Sequence, residues 1–238
     1  MDVQNIGEVW DRVTGTQPGP PGWLALAAGA AALLLVTVRP LWRIARNAVT
    51  IAHEGGHGLA ALATNRKLAG IRLHSDTSGL TLSYGRPTGP GMVLTAAAGY
   101  TTPALLGLGC AALLATDRIT LLLWLAIALL LALLVRIRNA FGFLSVLLAG
   151  AAFFLVSWFG TAGVQAGFAY LGTWFLLLGA VRPVLELQHQ RRRGQARDSD
   201  ADQLARLTGV PGLAWITLFL VTALACLALG ASWLLPTG

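Results

Sequence analysis

His53, Glu54 and His57 stand in the segment His53-Glu54-Gly55-Gly56-His57, inside a long apolar stretch. A spacing of four places the two imidazoles on one helix face, a turn apart. Neutral imidazoles so placed can share one zinc ion, and Glu54 is then positioned to take a proton from a zinc-activated water. Ionisable groups at bilayer depth are costly and usually mark function. The chemistry these residues suit is metal-dependent hydrolysis, within the membrane or at its edge.

A catalytic zinc site of this kind needs a third protein ligand. Asp76 falls in a turn, where Asp serves local turn chemistry, and Asp117 falls in a short loop on the expected far side. His74, Glu186, His189 and Asp198 lie in polar segments without a pattern of their own. Ser199-Asp200-Ala201-Asp202 opens a short helix that should run to about residue 207 and stop at Thr208-Gly209, with Pro211 beyond. Ser199 with Asp202 three residues on is a capping-box pattern. Capping accounts for Asp202 better than for Asp200, so Asp200 is the favoured third ligand and Asp202 the reserve.

These residues need apolar elements to hold them, and the composition supplies little else. Of 238 residues 55% are hydrophobic and only 11% charged, with a mean hydropathy of +0.67. Soluble domains carry roughly a quarter charged residues, so an integral membrane protein is expected. The net charge of +7 comes from Lys and Arg between apolar runs, which is how topology is set; nucleic acid is not an expected partner. Cys110 and Cys226 sit in apolar runs and read as small core residues. The first twenty residues lack the basic start of a cleavable signal peptide.

Apolar runs cover about 23–38, 41–63, 92–115, 119–135, 140–159, 164–181 and 213–235. The expected fold is an all-α polytopic membrane protein of six to seven transmembrane helices, six if the fifth and sixth are partly re-entrant. Residues 1–22 form a polar N-terminal segment and 23–238 a single membrane domain. Within it, 68–86 alternates apolar and polar residues about a Gly-containing turn, which predicts a β-hairpin between the second and third spans. Residues 182–210 form a polar loop with the short helix. With the N-terminus in the cytoplasm, thirteen Lys and Arg fall inside and four (Arg39, Arg43, Arg46, Arg118) outside. The proposed site then lies toward the cytoplasmic side.

The glycine-containing histidine motif, the hairpin, and Ala98-Gly99-Tyr100-Thr101-Thr102-Pro103 opening the next span together resemble the M50B-like branch of the site-2-protease-type intramembrane zinc metalloproteases. Arg138-Asn139-Ala140-Phe141-Gly142 and the 199–208 segment are similar to stretches of that branch, and the resemblance covers about 47–215. It implies a zinc metallopeptidase that cuts membrane-embedded protein substrates in the lipid bilayer. By position, His53 and His57 match the zinc ligands and Glu54 the catalytic glutamate. The family's third ligand is an Asp followed by Gly, often after Asn-Pro; here Asp200 is followed by Ala201. Asn139 is a further candidate at the metal or the oxyanion.

A substrate helix must unwind to expose its carbonyls, and the hairpin could hold the unwound segment as an added strand. Ile71, Leu73, Leu80 and Leu82 are its candidate substrate-binding residues. The alternative function is a non-catalytic scaffold or regulatory relative, while a transporter is disfavoured by the scarcity of ionisable residues on the later spans. Ala, Leu, Gly and Arg usage fits a bacterial cell membrane.

Overall fold

A computed structural model of the chain describes residues 6–196 and 198–235. Helix α1 (Ile6–Thr14) precedes α2 (Gly22–Thr37) and α3 (Arg39–Ala63), after which β1 (Lys67–Leu73) and β2 (Gly79–Tyr84) form the expected hairpin. Then come α4 (Pro90–Ala115), α5 (Ile119–Leu134), α6 (Ala140–Phe159), α7 (Ala162–Arg192), α8 (Asp200–Thr208) and α9 (Gly212–Leu234).

Helices α4, α6, α7 and α9 are long and apolar enough to cross a membrane, and α2 with α3 qualifies as one pair bent by 101°. That makes four to five candidate spans, fewer than the six to seven expected. Two differences account for it. Helix α5 is apolar throughout but has 16 residues, about 24 Å, short of a hydrocarbon core of about 30 Å. And the apolar run that carries the histidines does not return antiparallel to α2: Val38 is extended between the two helices, and Pro40 in the first turn of α3 needs no partner for its missing N–H. Arg182 donates to the carbonyls of Val36 and Thr37 at the end of α2 and so fixes the corner.

Helices α2 and α7 run side by side in the same direction. Gln17, just ahead of α2, bonds Gln165 at 3.0 Å, Gly29 lies against Trp174, and Thr37 meets Arg182. Helices α4 and α9 cross near Leu177, where Gly107 and Gly230 leave its side chain room, the close approach that small residues allow between membrane helices. Their apolar faces form the main core, with Ala32, Ala104, Ala111 and Leu177 fully buried.

One end of this bundle therefore holds α1, the 116–118 turn and the start of α7. Arg118 reaches Thr14 O at 3.3 Å there, and Gln17 N donates to Asp117 O at 2.9 Å. The other end holds α3, the hairpin, the start of α4, the end of α7 and α8. Helix α1 and the histidine motif therefore lie at opposite ends of the bundle, because α3 turns away from α2 at the corner.

The hairpin is anchored on both sides of β1. β2 pairs with it antiparallel, Ile71 opposite Thr81. On the other side Ile71 N donates to Arg136 O and Arg138 N to Ile71 O, both at 2.9 Å. Ile71 and Leu73 point into a small core with Ile51, Ile137 and Val146.

Candidate active site at the α3, α4 and α8 junction

Helix α3 presents His53 and His57 toward α8, and their Nε2 atoms stand 3.1 Å apart. Asp200, in the first turn of α8, places Oδ2 3.3 Å from each of them. The three residues each offer one ligand atom, all within 4.8 Å of one another. Ser199 caps α8 by accepting from the Asp202 amide, which sets the rotation of the helix that aims Asp200 inward.

The surroundings hold the imidazoles in place. His57 Nδ1 lies 2.7 Å from Thr95 O; a carbonyl only accepts, so Nδ1 donates there and Nε2 is the ring atom turned toward Asp200. His53 packs edge-on against Tyr100 at 4.8 Å, and Tyr100 stacks on Phe219 at 5.2 Å. Gly99 lies directly beneath both rings, where a Cβ would overlap His53 and His57. Gly56 plays the matching part on α3, since a Cβ there would strike Thr102 and Ala98 O of α4. Burial works to raise the Asp200 carboxyl, but hydrogen bonds from His53 and His57 outweigh it and hold the group below the ordinary carboxylate range.

Glu54 lies on the next face of α3, against the hairpin. It is 5% exposed. Thr81 Oγ1 donates to its Oε2 at 2.7 Å, and Gly79 passes so close that a Cβ would collide with the carboxylate.

The remaining sequence candidates go elsewhere. Asp202 accepts from Ser199 Oγ at 2.7 Å and forms an ion pair with Arg191, so both its oxygens serve the α7–α8 connection. Asn139 spends both amide atoms on one residue, donating to Leu73 O at 2.6 Å and accepting from Leu73 N at 3.2 Å. Those two bonds pin the end of β1. Ile71 and Leu73 are buried core residues, because β1 is flanked by β2 on one side and by the Ile137 segment on the other. Leu80 and Leu82, 46% and 41% exposed, lie on the outer face of β2. Thr81, Gly79, Thr95 and Tyr100 were not singled out from sequence as site residues. Thr81 occupies a polar position of the alternating strand, which the pattern alone would turn away from the core; in the structure this face of β2 is the inner one, and Leu80 and Leu82 are exposed.

Two imidazoles and a carboxylate are the donor types that hold catalytic zinc with a position left for water, and the Thr95 carbonyl supplies the outer partner that a ligating histidine requires. The donor set fits the ion. The apolar helices fit an integral membrane protein, and a His/His/Asp donor group stands at one end of their bundle. Residues 26–230 match the family described as Peptidase M50B-like, and the chain belongs to that family. Comparison with curated proteins and with solved structures gave no match.

Proposed function

We propose that the chain is an intramembrane zinc metalloprotease that hydrolyses peptide bonds of membrane-embedded proteins. The observation that carries the reading is the meeting of Asp200 with His53 and His57 beside Glu54, because residues nearly 150 positions apart converge on one donor set. His53, His57 and Asp200 would hold the zinc. When bound, the ion supplies Lewis acidity, which makes water a nucleophile near neutral pH and stabilises a developing oxyanion. Glu54 acts as general base, accepting a proton from the attacking water and passing it to the leaving amine. Thr81 holds the Glu54 carboxylate in one rotamer through its hydroxyl. Burial of the donor group by Tyr100 and Phe219 limits bulk water around it.

β2 is the strand to which an unwound substrate would add. Among the described residues it pairs only with β1, so its other edge is open to another backbone, and Leu80, Leu82 and Tyr84 form an apolar face beside it.

The family supports a membrane location, and the charge pattern supports an orientation. At the far end of the bundle the described elements carry only Arg12 and Arg118; every other described Lys and Arg lies at the site end. By the positive-inside rule the site end faces the cytoplasmic side and α1 the opposite side. Counting the bent pair and α5 as embedded gives six segments, and 23–238 works as one domain.

The test uses detergent-purified wild type and Glu54→Gln with a panel of single-span reporter substrates. Wild type should cleave at least one, chelation should abolish cleavage, and Glu54→Gln should keep its zinc while losing about 10²–10⁴-fold in rate. Zinc-loaded wild type inert toward every reporter would favour a non-catalytic scaffold instead.

A further inference from the structure

We propose that the cleft at the α2–α3 corner is a binding site for a phosphate group, supplied by an anionic phospholipid of the leaflet at the site end. Arg39, Arg43 and Arg46 follow one another at spacings of four and three along the first turns of α3, hence on one face. Together with Arg182 of α7 and the hairpin turn at 75–77 they line an open cleft of about 730 Å³. Among the described residues two carboxylates, Glu186 and Asp76, line this cleft with the four arginines, and both are already engaged. Glu186 accepts from Trp42 Nε1 at 3.0 Å and Arg182 Nε at 2.9 Å, and pairs with Arg46 at 3.4 Å. Asp76 accepts from Ser78 N at 2.9 Å and Ser78 Oγ at 2.7 Å.

Arg39 and Arg43 are exposed and form no ion pair among the described residues. The cleft therefore carries surplus positive charge in two guanidinium groups, whose planar donor forks suit phosphate oxygens. Trp42, with the Arg182 guanidinium 4.9 Å over its ring, makes the cleft floor rigid.

Height in the bilayer points to the source of the phosphate. From Gln165, which meets Gln17 at the far end, to Arg182 α7 rises about 26 Å. A hydrocarbon core of about 30 Å then ends near the cleft, at the level where headgroups begin. Basic pockets at this depth between membrane helices take anionic headgroups. The site is separate from the donor cluster, and it stands or falls independently of the protease reading.

The test is thermal unfolding of the detergent-purified full chain titrated with phosphatidylglycerol, phosphatidylcholine or inorganic phosphate. Arg39→Gln/Arg43→Gln is compared with Arg192→Gln/Arg193→Gln, which removes the same charge from the same end. Phosphatidylglycerol should raise Tm of wild type and of the second variant, phosphatidylcholine should not, and the first variant should need about fivefold more lipid per arginine removed. If inorganic phosphate gives the same shift with the same dependence on Arg39 and Arg43, the phosphate site stands and its ligand is the free ion. No shift with either phosphate source, or equal shifts in the two variants, would overturn the proposal and leave these arginines as topology signals alone.

Discussion

The hydroxyl of Thr81 lies 2.7 Å from Oε2 of Glu54 and 3.1 Å from the Glu54 carbonyl, so the hairpin and the motif helix share one hydrogen-bonded junction. The donor is on a strand and the acceptor on a helix, and only the docking of β2 on α3 joins them. Removing the hydroxyl frees the carboxylate to change rotamer without touching the metal ligands. Thr81→Val is predicted to lower reporter cleavage about 10–100-fold, the range for groups that orient site residues, at unchanged zinc content. Thr81→Ser keeps the donor and should recover most of the rate; an equally inactive Ser variant would mean that Thr81 serves packing alone.

Gly99 tests how tightly α4 underlies the imidazoles. Alanine is the better helix former by about 1 kcal/mol, yet its Cβ would occupy the space of both rings. Gly99→Ala should leave helix content by circular dichroism intact and reduce bound zinc to well under half per chain. Full zinc in this variant would show that the rings can retreat.

Asn139 separates a structural role from a ligand role. With its two bonds to Leu73 removed, Asn139→Ala leaves a buried N–H and C=O unpaired, a cost of about 1–3 kcal/mol each. The expected result is a lower midpoint of chemical denaturation with zinc stoichiometry unchanged. Zinc lost from a variant as stable as wild type would return Asn139 to the metal.

The Arg191–Asp202 pair gives a pH signature. Burial pushes the Asp202 carboxyl up, but Ser199 and Arg191 prevail and its pKa is lowered on folding. A lowered folded pKa contributes stability that is full above the unfolded value, about 3.9, and is lost as pH falls below it. Acid should therefore destabilise wild type more than Asp202→Asn. Unfolding midpoints at pH 6 and pH 3.5 measure this, and parallel losses in the two proteins would rule it out.

How far these relationships were legible in the sequence depended on whether they were local. The helix-spaced histidines, the Ser199 cap and the turn of the hairpin each follow from neighbours within four residues, and each element formed where the pattern put it. Choosing Asp200 before Asp202 also used local logic, since the cap and its third residue form a self-contained unit. The direction of α3 was not legible, because hydropathy records that 41–63 is apolar and not which way it points. Its 101° turn from α2 rests on an extended Val38 and on Arg182, which lies 146 residues beyond the Val36 carbonyl it bonds. The burial of Ile71 and Leu73 has the same origin. Alternation assigns side chains to two faces, but the Ile137 segment that covers β1 is a tertiary partner. Arg39, Arg43 and Arg46 run against the charge asymmetry if α3 is a return span; with the corner in place they join the basic end.

The most direct test of the central claim is zinc per chain by elemental mass spectrometry, on wild type, His57→Ala, Asp200→Ala and Asp202→Asn purified alike without chelators. The account predicts about one zinc in wild type and Asp202→Asn and next to none in His57→Ala and Asp200→Ala. Full zinc in Asp200→Ala, or none in wild type, would contradict it.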